Sequence, residues 1–406
     1  MGTASGVFKQ VTYKVETSYG VMPAANAAQA MRRVTSSLDL TKDTYQSNEI
    51  RPDFQVADFR HGLRKVGGSI SGELSAKTYG DFLAAALKRD FTAGASVTGA
   101  SITIGGVAGA WTITRAAGSW LADGVKLGDV IRLTAGTFNA ANASKNIQIT
   151  GMTATVLTGI VLNASTLVTE GPITGATVAV VGKKTWTPQT GHTDKSFAIE
   201  HWYPDAGATG ASEVFTGCKV SKISYTLPAT GMATVAVEFA GKDMVPGAAQ
   251  YFASPTPVTV TGTMSAVNGV VRVGTAVGGT ITSASIEISS AQSSEASIGS
   301  NTADQVATGR VIVTGQITAK FDSTASRDAF VNETEVSAYL AFTADNSAAS
   351  DFVAFSLSRL KLNGATKDDG EKIIIQTIPF QALLDVNGGA GKSTEMTTLT
   401  VQDSAA

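Results

Sequence analysis

Gly72-Glu73-Leu74-Ser75-Ala76 and Gly315-Gln316-Ile317-Thr318-Ala319 share one pattern, and each is followed at once by a stretch with helical spacing. Two further pairs keep the same order along the chain. Upstream, Leu38-Asp39-Leu40-Thr41 is echoed by Ile286-Glu287-Ile288-Ser289; downstream, Val220-Ser221-Lys222-Ile223 is echoed by Leu357-Ser358-Arg359-Leu360. Ser/Thr/Val-rich strands resemble one another by chance, but chance does not keep three echoes in order. A period of this size indicates a duplicated domain, since solenoid repeats recur every ~20–50 residues. One spacing breaks the symmetry: Lys222 lies 146 residues after Ala76, whereas Arg359 lies 40 after Ala319, so the first copy carries about 106 more residues.

Most of the chain reads as strand. Ser69 to Leu74, Lys195 to Tyr203 and Met232 to Phe239 alternate, the second placing Phe197, Ile199, His201 and Tyr203 on one face; Val258 to Gly262 and Lys372 to Ile378 also look like strands. Period-two patterning bounded by Gly, Asn and Pro is the strand signal. Two stretches read as helix. Thr78 to Lys88 spaces Tyr79, Phe82, Leu83, Ala86 and Leu87 helically, with Thr78 as cap and Asp81 three residues on. Thr324 to Phe342 is weaker and would be capped by Asp322 or Ser323. The expected unit is a mainly antiparallel β-sandwich with one flanking helix, present twice.

The extra piece, 95–185, has its own turn signals and strand-like runs at Ser101–Ile104, Trp111–Thr114, Val130–Leu133, Asn146–Thr150 and Thr177–Val181. That suffices for a small barrel or sandwich with Trp111, Trp120, Leu121 and Phe138 in its core. Whole-domain insertions succeed at exposed loops, so it is expected to project from its parent, joined at Gly94 and at Gly182-Lys183-Lys184. The expected domains are 1–94 with 186–252, the insert 95–185, a second unit 253–390, and a C-terminal arm 391–406.

Composition excludes several functions. The 406 residues hold 31 basic and 33 acidic side chains, a formal charge of −2, which is no footprint for gripping phosphate. Charged residues make up only 16% of the chain, with Gly, Ala, Ser and Thr in their place, a surface suited to subunit contact. One cysteine, Cys218, rules out an internal disulfide and fits a reducing cytoplasm. Met1 to Gly6 lacks the basic and apolar regions of a signal peptide, and no apolar run approaches the ~18 residues of a membrane span.

No motif carries catalysis. Asn387 to Thr394 mimics a phosphate-binding loop, but Val386 stands where its first Gly belongs; a flexible link to the arm is the better reading. His192, Asp194, Glu200 and His201 form the one cluster with ligand chemistry, at spacings that suit structural histidines better than zinc. Cys218 reads as an inert core thiol. Arg60, His61, Arg64 and Lys65 form a basic cluster beside Asp53 and Asp58, without aromatics to stack bases, and read as an intersubunit salt-bridge patch opposite acidic loops rather than a phosphate contact. No catalytic residue, metal ligand or cofactor is expected.

Lys195-Ser196-Phe197-Ala198-Ile199-Glu200, then Phe215-Thr216-Gly217-Cys218-Lys219-Val220 and Gly241-Lys242, resemble the major tail tube proteins of long-tailed bacteriophages, of the siphophage type. Val66 to Leu74 leading into Tyr79 to Leu87 strengthens the likeness. The insert resembles small β-domains of phage virion proteins through Gly118 to Val125 and Gly128-Asp129-Val130. The resemblance covers most of 35–245; the second half joins it through its likeness to the first. It implies a non-enzymatic virion component, assembled in the host cytoplasm, whose rings stack into a conduit. Its partners would be itself, the tape measure protein, terminator and baseplate proteins, and double-stranded DNA in transit, with no membrane anchor. A chain with two tube units would close a ring with three copies. The segments 41–58 and 289–305, both long and polar, are the expected ring-to-ring contacts. A terminator or baseplate hub of the same fold, and a surface adhesin or carbohydrate-binding protein, are the alternatives.

Overall fold

The structure, a computed structural model, describes residues 3–163, 165–274 and 280–406. It is mainly β, with two short α-helices, α1 (Gly80–Ala86) and α2 (Ala325–Val331). The strands fall into two antiparallel series with the same pairing order. In the first, Gln10–Val15 pairs with Phe197–Tyr203, which pairs with the first half of Ala211–Leu227; the second half of that strand pairs with Thr234–Gly241, then come Phe59–Glu73 and Asp39–Gln46. In the second, the order is Gly269–Val273, Val336–Thr343, Phe352–Leu362, Ile375–Ala382, Val306–Lys320 and Ile281–Ser294.

Each series is two sheets sharing one long strand. Ala211–Leu227 changes partners near its middle, where its pairing with Phe197–Tyr203 slips between Phe215 and Cys218 and Gly217 has φ +68°. A bulge with a left-handed glycine bends a strand and lets it serve two sheets. In the second series the same slip lies between Leu357 and Leu360. Between the sheets of the first series sits α1. Its Phe82 is fully buried and meets Tyr13, Phe197 and Phe239 with ring centroids 4.6, 4.9 and 5.2 Å away. Burial of one such ring is worth about 2–3 kcal/mol. Neither Thr78 nor any other side chain caps α1; Thr78 bonds Ser75 and Thr259, and Asp81 accepts from Tyr13.

Several expectations are corrected. The second helical stretch is short: Val336, Tyr339 and Leu340 belong to the strand Val336–Thr343, because this run is apolar on both faces and is buried on both. Thr324, not Asp322 or Ser323, holds the N-cap position of α2. Val258 to Gly262 is an extended connection without a strand partner, whose carbonyls at Thr259 and Thr261 accept from Arg32. Residues 39–46 and 281–294 are strands, so only 47–58 and 295–305 are loops.

Strand registers and burial patterns align the two series closely. Leu38 to Thr41 falls on Ile286 to Ser289, as the sequence echo has it. Phe59–Glu73 falls on Val306–Lys320, with Val66, Ile70 and Gly72 buried like Val313, Ile317 and Ala319. Gly315 to Ala319 therefore matches Gly68 to Gly72 rather than 72–76, and Leu357 to Leu360 matches Phe215 to Cys218 rather than 220–223. The first slip, of four residues, keeps every side chain on its face, so alternation cannot detect it; the second, of five, lies across the register irregularities at Phe215–Cys218 and Val220–Lys222.

The extra piece closes into a six-stranded barrel in the order Ile147–Met152, Val156–Val161, Ala110–Arg115, Ser96–Val107, Glu170–Val180, Val130–Ala135. Trp111 and Trp120 lie in its core with Ile104, Ile131 and Leu133, and Phe138 packs against them; Leu121 does not join them. The barrel does not simply project. Its Val130 and Leu162 pack on Ala341, Phe352 and Ala354 of the second series. Lys184, expected in a connection, is 3% exposed and pairs with Asp129 at 2.9 Å. The Lys126 ammonium donates to the carbonyls of Gly389 and Lys392, so the stretch read as a flexible link is a clamp.

Nor is 391–406 a free arm. Thr400–Asp403 pairs with Phe352–Leu362 on one edge and with Lys183–Trp186 on the other. Leu399 and Val401 are fully buried, and Gln402 bonds the backbone of Val130 and Val181 in the barrel. Apolar residues at alternate positions with an open sheet edge beside them drive this segment into the body.

Candidate assembly surfaces

The residues with potential chemistry do not converge. Glu200 is fully buried and accepts hydrogen bonds from the Thr12 and Ser212 hydroxyls and from the backbone N–H groups of Tyr251 and Phe252, which anchors the connection between the two series. His201, on the other face of that strand, is buried beside Ser36 (2.7 Å), and burial, with help from Lys9 and Arg33, pushes its pKa down to about 3. Asp194 is opposed by burial, yet Lys219 and Lys88 hold its carboxyl below the usual range. His192 lines a cleft that includes Asp194 but neither Glu200 nor His201. Among the described residues, no group of three or more His, Cys, Asp and Glu side chains is placed to hold a metal ion. Cys218 is fully buried, and burial followed by Glu16 raises its thiol far above its ordinary pKa. The basic cluster is spent within the chain: Arg60 on Asp58, Arg64 on Asp243, Lys65 on Asp43.

What the fold does present is edges. The two series join where Lys222–Leu227 pairs with Ala284–Ser289, making one continuous curved sheet. At one end of that sheet, 35–46 pairs only with Phe59–Glu73 among the described residues. At the other end, the short strand Thr366–Lys367 continues Phe352–Leu362 and pairs only with Ile375–Ala382. By register, Thr366 occupies the place of Ser224, and 364–369 that of 222–227. Each free edge is thus the counterpart of one side of the filled internal junction. An open edge is a template for another strand.

One face of the sheet is lined with small polar residues. Alternation puts Ser69, Ser71, Ser224, Thr226, Ser285, Gln316 and Thr318 opposite the buried Ile70, Ile223, Tyr225, Ile286 and Ile317. Glu73, Glu238, Glu287 and Asp39 share this face with Lys222 and Lys320. Lys222 lies between Glu238 (2.8 Å) and Glu287 (3.8 Å), and Glu238 first, then Glu287, holds its ammonium above the ordinary range. The face carries no excess of cations.

Sequence reasoning missed the free edge at 364–369, where nothing but pairing order marks it. It also took 47–58 as a polar loop, although Ile50 and Phe54 are 99% and 100% exposed. Large apolar residues amid turn residues were the available signal.

Two like series in one sheet, with both edges unpaired among the described residues, are what an assembling subunit presents to its neighbours. The sequence profile of the family described as phage tail tube protein matches residues 9–382, so the chain belongs to that family. It is a structural component of the virion tail that assembles with itself into a tube. No curated protein matches the chain significantly.

Proposed function

We propose that three copies of this chain close into a ring whose wall has six like modules, and that stacked rings form a conduit for tape measure protein and double-stranded DNA. The modules are 1–94 with 186–252 and 253–390, the barrel at 95–185 being an insertion that occurs three times per ring on the outside. The carrying observation is the internal junction: it joins the modules edge to edge and leaves the same two edges open at the ends. Repeating one heterologous contact closes a ring when its rotation permits. Carried over, the internal register would set Thr366 against Asp39 and Lys367 against Leu38 of the next copy.

The Ser/Thr-rich face would line the channel. DNA held by many phosphate neutralisations is bound tightly, which a conduit must avoid, and this face offers carboxylates that offset its lysines. Electron microscopy of the purified protein tests the reading. Rings with three-fold symmetry, six wall modules and three projections are expected; six projections per ring would refute it. Tube proteins must also be among the most abundant in the virion, which separates this role from a terminator or hub.

A further inference from the structure

We infer that the apolar loop 47–58 of one copy seats in the cleft beside Val311 and Leu384 of the next copy, interlocking neighbours around the ring. The inference rests on the proposed ring and adds a second contact to it, outside the sheet.

The internal junction supplies the template. Beyond the sheet, loop 295–305 of the second module crosses onto the first. Asn301 accepts from the Arg64 N–H at 2.8 Å, and Thr302 forms a parallel bridge with Arg64. Ala303 and Val306 are 1% and 0% exposed there, and the Val306 carbonyl accepts from Lys219. Arg64 is available because Thr234–Gly241 pairs with Phe59–Glu73 only from Val66 onward, leaving the start of that strand with a free edge.

The same geometry recurs, unfilled, one module on. Val311 is the counterpart of Arg64, and Val306–Lys320 is paired on its second edge only from Thr314 onward. Leu384 is the counterpart of Asp243, the ion-pair partner of Arg64. They line a cleft of about 540 Å³ with Pro188 and Thr397, whose wall also carries the charged Lys88, Asp194 and Arg310. Nearby, α1 packs on the strand Ile281–Ser294, whereas the end of α2 is bare, with Phe330 and Val331 43% and 68% exposed.

The occupant is identified by chemistry. Counting from the ends of the preceding strands, Asn301 and Thr302 correspond to Asp53 and Phe54. Val306 corresponds to Phe59, which is 53% exposed. Where the internal site holds an Arg–Asp pair, the loop positions beside it are Asn301 and Thr302, which meet Arg64 through backbone. Where the free site has Val and Leu, the corresponding loop carries Phe54 and Val56, both projecting into solvent, whereas Ile50 has an equally exposed counterpart in Ile298. Both partners change from polar to apolar together, and a second copy of the chain supplies the apolar loop at the distance fixed by its edge strand.

Paired cysteines test this in assembled protein, since the native thiol is buried. Phe54→Cys with Val311→Cys should be joined by a short bismaleimide into dimers and trimers on denaturing gels, with nothing larger. Asp39→Cys with Thr366→Cys reports the sheet junction separately. If the sheet pair cross-links and the loop pair does not, the interlock is wrong while the ring stands. If neither joins in particles that are visibly tubes, the ring arrangement falls and the interlock with it. A loop-pair ladder that continues past three chains means that the loop bridges rings, which also overturns the inference. As a second measurement, Phe54→Asp should cut the assembled fraction at least tenfold without changing the monomer's circular dichroism, and adding Val311→Arg should restore most of it. Unchanged assembly of Phe54→Asp would count equally against the interlock.

Discussion

Removing the Lys184 ammonium should loosen the inserted barrel from its seat, and the size of the effect can be worked from the geometry. Lys184 and Asp129 are each 3% exposed and joined by contacts of 2.9 and 3.1 Å. Asp129 also accepts from the Lys126 N–H at 2.9 Å, and Glu395 lies 3.7 Å from Lys184. Breaking a buried pair from one side costs about 3–5 kcal/mol, because a charge is left without its partner. Lys184→Met falls at the lower end, about 3 kcal/mol, since the stranded carboxylate keeps its backbone donor. Asp129→Asn leaves the ammonium with only the longer Glu395 contact and should cost a similar amount. Together they should cost only about 1 kcal/mol, since a buried pair replaced as a unit is close to neutral. The coupling of several kcal/mol is read from a double-mutant cycle on the first unfolding transition in urea, with hydrogen exchange at 387–396 as a local reporter. Coupling below about 0.5 kcal/mol, or exchange at 387–396 unchanged by Lys184→Met, would refute the role of this pair as the lock.

Three further outcomes are expected. Deleting 399–406 removes two fully buried apolar side chains and a strand paired on both edges, so the protein should lose its cooperative melt or its solubility, rather than assemble less while folding normally. Gly315→Ala should cost more than about 1 kcal/mol in denaturant titration, because a Cβ there would stand 2.3 Å from the Ser285 carbonyl; Gly68, with a Cβ 2.4 Å from the Ser37 carbonyl and φ +140°, should be at least as intolerant. Stability should depend on two buried groups with opposite signs. Burial raises Asp403 to about 6 in the folded state, so its contribution falls as pH rises from about 4 to 6, by up to about 3 kcal/mol. His201, held near 3 by burial, contributes stability that is lost as pH falls from about 6.5 toward 3. Asp403→Asn should therefore remove the loss on raising pH from about 4 to 6, and His201→Gln the loss on lowering pH from about 6.5 toward 3, as measured by melting temperature against pH.

The sequence disclosed the architecture more readily than its registration. Echoed runs lie in two strand series of the same pairing order, and the break in spacing falls on the segment that closes into a barrel, because like strands keep their buried positions. The Gly72 to Ala76 echo nevertheless came out four residues late, since period-two patterning repeats every two residues and a small glycine stands at both Gly68 and Gly72. The long strand Ala211–Leu227 shows no composition break where it changes sheets; only Gly217 marks the bend. The second helix was overlong because Val336 to Thr343 is mostly apolar, a run that helix and buried strand share. The C-terminal segment looked like an arm because its glycines and serines precede the buried Leu399 and Val401, and nothing local shows that an open edge awaits them. The assembly surfaces were least legible. An edge is defined by the strand that is missing, and its residues, 364–369, have no special composition.

The two junction chemistries also bear on why a tube protein would carry both modules in one chain. On the proposed ring, Arg64, Asp243, Asn301 and Thr302 meet within each chain, while Val311, Leu384 and Phe54 meet between chains. A slipped pairing that set the first-module loop against another first module would bring Phe54 onto the Arg64–Asp243 pair, stripping water from two charges that keep only each other and the Met244 carbonyl. Desolvation costs several kcal/mol per ion before their attraction is counted, so mismatched neighbours are rejected by desolvation as well as by lost contact, as specific interfaces generally require. Alternation of the two chemistries forces modules to enter the ring in whole chains. A ring with an odd number of modules could not satisfy both, and the barrel inserted in every other module is then spaced evenly around the outside. Exchanging the chemistries, by placing Arg at Val311 and Asp at Leu384 with Asn and Thr at Asp53 and Phe54, would make all junctions alike. That variant should still assemble but admit irregular rings, which class averages of its particles would reveal; strictly three-fold particles from it would show that loop chemistry has no part in specifying the count.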